Sequence, residues 1–134
     1  METDIKKMYQ YIYGNWHTMI VYVYAELGIA DLLQKTPKTA NELAELTATD
    51  PPALKRILRC AAVLGLHSYD PSNGRLEITK LGLLLCSDSC QSLRAAARLN
   101  GSSYRYAPWG RLLDYVRLGT GQGLSPCWEK GSLE

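Results

Sequence analysis

The sequence predicts a mainly α-helical, winged-helix-like bundle with one small β-hairpin and a long helix at its N-terminus. Three observations carry that expectation. Apolar residues recur at helical spacing through much of the chain. Two helices with capping residues at their starts follow one another between residues 39 and 65. Two short strand-like runs then flank Asp70-Pro71-Ser72-Asn73-Gly74, a run of turn-forming residues.

The first element is expected to be one helix from about Asp4 to Leu27. Ile5, Met8, Ile12, Trp16, Met19 and Val23 share one face, while Tyr11, Tyr13, Val21, Tyr22 and Tyr24 occupy the other. A helix that is apolar nearly all round is normally covered on both sides. A domain of 134 residues can cover one side, so a second chain or a second domain is expected on the other. Gly14 costs such a helix about 1 kcal/mol relative to Ala, and its expected use is close approach of a neighbouring backbone. No charge falls between Met8 and Ala25, yet Gln10, Asn15, His17, Thr18 and the tyrosines argue against a membrane span.

A short helix is expected over Ile29 to Leu33, with a break at Lys35-Thr36-Pro37-Lys38. Thr39 and Glu42 form a capping box that opens a helix running to about Leu46. Thr47-Ala48-Thr49 turns the chain. Asp50 is then the N-cap and Pro51 the first residue of a helix that buries Leu54, Ile57, Leu58, Ala61 and Leu64 and stops at Gly65. Leu66 to Tyr69 and Arg75 to Thr79 read as strands. Leu81 to Leu85, Ser92 to Leu99 and Trp109 to Leu118 supply further helices. Residues 119–134 are Gly-rich and thinly apolar, and read as a linker or frayed tail.

Composition sets the functional classes. At 46% hydrophobic and 21% charged this is an ordinary globular sequence, and a net charge of +2 is too weak to imply a polyanionic partner. The N-terminus lacks the basic region of a secretory leader. Cys60, Cys86, Cys90 and Cys127 form no CxxC pair, so no metal site is expected. Cys86 and Cys90 are four apart and could meet on a helix. The four are read as reduced thiols of a cytoplasmic protein.

The second helix exposes Lys55, Arg56 and Arg59 with no acidic residue from Pro51 to His67, and these could touch phosphates. A winged-helix transcription regulator is therefore the alternative reading. Against it, the helix begins Pro51-Pro52-Ala53, where a DNA reader carries base-reading side chains. Gly119-Thr120-Gly121-Gln122-Gly123 has the glycine pattern of a nucleotide loop, but it follows a helix and not a buried strand. Known nucleophile, metalloprotease and phosphate-loop motifs are absent. His17 reads as a core or interface histidine. Asn100, Ser102, Ser103, Tyr104, Arg105 and Tyr106 make a polar-aromatic cluster between helices. It could be a capped loop, with Ser102 or Ser103 as N-cap, or a lip over a small-molecule pocket.

Several segments resemble one family in order and spacing. Ala25 to Leu33 is similar to its "ELGIxDxL" signature. Thr39 to Leu46 with Asp50 to Leu54 and Ile57-Leu58-Arg59 resembles its next block. Leu64-Gly65-Leu66 and Leu76 to Leu85 follow, then Trp109-Gly110-Arg111-Leu112 and Asp114-Tyr115-Val116-Arg117. Together they resemble the N-terminal domain of acetylserotonin, hydroxyneurosporene and plant phenolic O-methyltransferases. The resemblance implies that residues 1–118 are a winged-helix-like dimerisation domain forming a homodimer. It implies that residues 119–134 lead toward a Rossmann-like catalytic domain, absent from this chain, that binds S-adenosylmethionine and supplies the base. This chain would then hold no cofactor and no catalytic residue, and would cap a small-molecule hydroxyl acceptor. By the same resemblance Leu99 and Asn100 match the family's pocket-lining pair, and Trp16 and Met19 on the first helix reach a partner's site.

Overall fold

The structure, a computed structural model, describes residues 1–119. Cys127, Trp128 and all but the first glycine of the GxGxG run lie outside the described residues. Helices α1 (Glu2–Ile12), α2 (Gly14–Glu26) and α3 (Ile29–Lys35) lead into strand β1 (Lys38–Thr39). Helices α4 (Ala40–Thr47) and α5 (Pro51–Val63) precede strands β2 (His67–Asp70) and β3 (Arg75–Ile78). A 3-10 turn at Gly82–Leu85 then leads to α6 (Arg94–Gly101) and α7 (Ser103–Tyr106). A second 3-10 turn at Ala107–Arg111 precedes α8 (Leu112–Leu118).

The local chemistry of the middle segment forms as expected. The Glu42 amide donates to Thr39 Oγ1 at 3.2 Å and the Thr39 amide donates to Glu42 Oε2 at 2.8 Å, which completes the capping box of α4. Asp50 Oδ2 accepts from the Ala53 amide at 3.0 Å, and Pro51 opens α5. In the hairpin turn, Asp70 Oδ1 accepts from the Ser72 amide and Asn73 Oδ1 from the Arg75 amide, while Gly74 takes a φ of +70°. The two strands pair antiparallel, with His67 opposite Ile78 and Tyr69 opposite Leu76. A third strand was not expected. Lys38 and Thr39 add to the far edge of β3, opposite Leu76 and Arg75, giving the order β1-β3-β2. Helix, turn, helix and sheet thus take the winged-helix-like arrangement.

The core lies between α2, α3, α4, α5 and the sheet. Tyr24, Ile29, Leu43, Leu58, Ala61 and Leu76 are among its buried members. Burying a side chain of this size contributes roughly 1.5–3 kcal/mol. Thr79 ties the wing to the next segment: its hydroxyl donates to the Gly65 carbonyl at 2.6 Å and accepts from the Gly82 amide at 3.1 Å.

Three expectations need correction. The N-terminal rod is two helices, because Tyr13 leaves helical geometry at φ −100°, ψ 10° and Gly14 restarts the helix. A Cβ at Gly14 would meet nothing within 4 Å, so no neighbouring backbone approaches it within the chain. Cys86 and Cys90 do not share a helix: Cys86 ends the 3-10 turn and is buried, and Cys90 is exposed. Cys60, Cys86 and Cys90 are free thiols. Ser102 stands at the N-cap of α7, but its hydroxyl donates back to the Leu99 carbonyl at 2.6 Å and makes no cap bond.

Helix α6 is clamped to the end of α2. Arg94 Nε donates to the Ala25 carbonyl at 3.0 Å, and Arg98 reaches both Glu26 carboxylate oxygens at 2.8 and 3.3 Å. Gly101 is packed against the Tyr22 side chain so closely that any Cβ there collides with it. Gly101→Ala is therefore expected to lower stability by about 1–3 kcal/mol, read as a lower denaturant midpoint. An unchanged midpoint would rule out this close approach.

Candidate functional site

Two surfaces stand out, and both involve the N-terminal helices. The first is the rod itself. Helix α1 buries no residue, and Ile5, Met8, Tyr9, Tyr11 and Ile12 are all exposed. The exposed side continues through Tyr13 and Trp16, the latter 58% exposed. Tyr9 and Tyr13 stack with centroids 5.8 Å apart, and Tyr13 meets Trp16 at 4.5 Å. Only the last turns of α2 enter the core, through Tyr24 and Ala25. The expectation that this chain covers one side of the rod is thus corrected for α1, which the described residues cover on neither side. A continuous apolar surface of this kind marks an interaction site.

The second surface is an open groove of about 540 Å³ between α2, the 3-10 turn and α6. Its walls are largely leucine, among them Leu64, Leu66, Leu81 and Leu85. Its polar side chains are His17, Thr18 and Asn100. Apolar walls with a few placed polar groups are the composition of a small-molecule site. Asn100 Nδ2 donates to the Ala96 carbonyl at 2.8 Å, which holds the amide in place and leaves Oδ1 without a partner among the described residues.

Of the four expected site residues, the groove takes one. Asn100 lines it; Leu99, one position round α6, does not and is exposed. Trp16 and Met19 lie off the groove, Trp16 tilted against the Tyr13 ring and Met19 half-buried. His17 and Thr18, which sequence reasoning did not place in a site, join Asn100 there with Val21. Their i, i+1, i+4 spacing was the available signal: it sets two polar side chains and a valine on one stripe of an aromatic helix. His17 is exposed, so within this chain it is not a core histidine.

Charges elsewhere are structural. The hydrogen bond from Arg98 lowers the Glu26 pKa, the Thr39 amide lowers that of Glu42, and Ser72 lowers that of Asp70. Asp31, Cys86 and Asp88 bring three possible ligand atoms within 4.8 Å of one another. Asp31 Oδ1 already accepts from the Ser87 amide at 2.8 Å, a contact that fixes the chain after the 3-10 turn. Among the described residues no helix is long and apolar enough to cross a membrane.

These residues do not fit S-adenosylmethionine. A donor loop needs glycines directly after a buried strand. The described strands are two to four residues long and form one antiparallel sheet, and Gly119 closes α8 at φ +72°.

Comparison with known proteins settles what kind of domain this is. Residues 9–88 match the profile of the O-methyltransferase dimerisation domain. The chain belongs to that family. The phenazine O-methyltransferase PhzM of Lysobacter antibioticus is 40% identical to this dimerisation domain over 110 residues, covering 82% of the chain and 32% of the relative. The aclacinomycin 10-hydroxylase RdmB of Streptomyces purpurascens is 36% identical over 128 residues, covering 90% and 34%. Among solved structures, the 8-amino-8-demethyl-D-riboflavin dimethyltransferase RosA of Streptomyces davawensis superposes with a TM-score of 0.78 at 31% identity, covering 87% and 34%. The dimerisation domain thus spans about a third of the length of the relatives it matches.

One buried pair joins its two halves. Tyr24 OH and His67 Nδ1 lie 3.3 Å apart, and both residues are at most 2% exposed. Burial lowers the His67 pKa, only partly offset by the Leu58 carbonyl, and raises that of Tyr24. The unfolded chain therefore takes up a proton on this histidine before the folded chain does. Its contribution to stability is complete above the ordinary histidine value near 6.5 and is lost as pH falls below it. Denaturant midpoints measured from pH 7.5 down to 5 are expected to fall in the wild type and to stay flatter in His67→Phe. Parallel curves would remove His67 from this role.

Proposed function

We propose that two copies of this chain pair through α1 and the first half of α2, and that the pair caps the acceptor in an O-methyltransferase acting on a small-molecule hydroxyl. The observation that carries the reading is an apolar helix that its own chain leaves uncovered, in a domain whose family is defined by dimerisation. Residues 1–118 act as the dimerisation unit, and residues 119–134 lead out of it. Asn100, with His17 and Thr18, gives the groove its polar contacts. Leu99 stands beside Asn100 on α6, and Trp16 and Met19 serve the partner's acceptor site rather than their own. This division is supported by their absence from the groove lining.

The part of the relatives that this chain does not span is where we place S-adenosylmethionine and the catalytic base. One solved relative, CalO1, the methyltransferase in calicheamicin biosynthesis, was solved with SAH bound. The domain's own contribution is to exclude water and orient the acceptor. Free thiols and ordinary surface charge support work in the cytoplasm. One relative is named a hydroxylase, so the chemistry rests with the neighbouring domain.

Two measurements test this. Light scattering after size exclusion is expected to give twice the chain mass, and Ile5→Glu with Met8→Glu is expected to weaken association at least tenfold, since both sites are exposed in the single chain. A wild-type monomer at high concentration would overturn the pairing. In a turnover assay with S-adenosylmethionine and phenolic acceptors, the chain alone is expected to transfer no methyl group; turnover by it would overturn the division of labour.

A further inference from the structure

A second hollow, a cleft of about 630 Å³, lies between α4, α5 and the wing and shares no lining residue with the groove. Leu66 lines the groove, and His67, the next residue, lines the cleft.

Its chemistry is one-sided. Helix α5 presents Lys55 and Arg59, one turn apart, and neither has a carboxylate partner among the described residues. The start of α4 contributes Ala40 and Asn41, whose amides have no partner within the helix. Glu42, the nearest acid in sequence, does not line the cleft; its carboxylate is held by the Thr39 amide and lies 3.6 Å from Arg75. Among the described residues no aspartate or glutamate lines the cleft.

His67 stands in the wall at 2% exposure. Its Nδ1 lies 3.3 Å from the buried Tyr24 hydroxyl. Its Nε2 is buried and makes no hydrogen bond of ordinary geometry among the described residues. Lys55, Arg59 and the first amides of α4 thus share one cleft, over walls formed by Leu58, Ala62 and Leu76.

We propose that this cleft binds a small planar carboxylate. The carboxylate sits between Lys55, Arg59 and the first amides of α4, where charge-assisted bonds are strongest. The flat body lies on the leucine and alanine walls beside Tyr69. An inorganic ion would leave a hollow of this size largely unfilled, and its walls are mainly apolar. Duplex DNA fits less well, since α5 starts with Pro51-Pro52-Ala53 and offers no base-reading side chain there.

The probe is 2-aminobenzoate, titrated by fluorescence into the 134-residue chain. Saturable binding is expected, at least tenfold weaker for the neutral 2-aminobenzamide and for Lys55→Gln with Arg59→Gln. Both substituted residues are exposed, and circular dichroism checks that the variant is folded. In a parallel NMR titration the amides of Asn41, Arg59 and Tyr69 are expected to shift while Val21 in the groove stays still. Absence of saturation at millimolar probe, equal binding by the double variant, or shifts confined to the groove would overturn the proposal. So would micromolar binding of random duplex DNA with no carboxylate binding.

Discussion

The rest of this structure hangs on the last two turns of α2. Tyr24 and Ala25 are the only residues of that helix in the core, yet the segment holds two other parts of the fold, the wing and α6. Tyr24 reaches the wing at His67. The Ala25 carbonyl and the Glu26 carboxylate receive Arg94 and Arg98 from α6. Tyr22 fills the space that Gly101 leaves open. Bonds to charged groups contribute more than neutral ones, about 1.5–3 kcal/mol, when they are shielded from water. Arg94 is half-buried where it meets Ala25, whereas the Arg98–Glu26 pair is exposed and contributes less. The anchoring is therefore mostly packing around Tyr22 and Tyr24, with Arg94 fixing the angle of α6.

That anchoring explains why one helix can serve two surfaces. Its buried end fixes the positions of His17, Thr18 and Val21 relative to α6, which sets the width of the groove. Its free end projects with α1 beyond the globule. The groove is open because α6, the 3-10 turn and α2 meet only along their buried edges. The matched stretch is only about a third of the length of these relatives, and an open groove beside an uncovered rod is what a domain built to be covered would present.

Sequence reasoning read the middle of the chain well because its signals are local. A capping box, an Asp-Pro helix start and a turn of Asp, Pro, Asn and Gly each act within a few residues. Where it failed, the cause was non-local. Lys38 and Thr39 have no strand pattern of their own; they pair only because β3 offers an edge. Helix α7 is a single turn between two others. The joint at Tyr13 follows from two dihedral angles beside a glycine, and helical periodicity runs straight across it. Among the groove's polar side chains, Asn100 was singled out by resemblance, while His17 and Thr18 emerged only once α6 had been set against α2. Trp16 is exposed and Met19 half-buried, and neither lines the groove, so a single copy places them in no site.

The bare rod has a further consequence for how such a protein behaves in a cell. Apolar area that is hidden only by a second copy adds nothing to the stability of the first copy alone, so its contribution scales with the logarithm of protomer concentration. A chain made at low abundance would spend more of its life with α1 wet, open to proteolysis and to sticky encounters. Dosage, and not only the quality of the core, would then decide how long each molecule lasts.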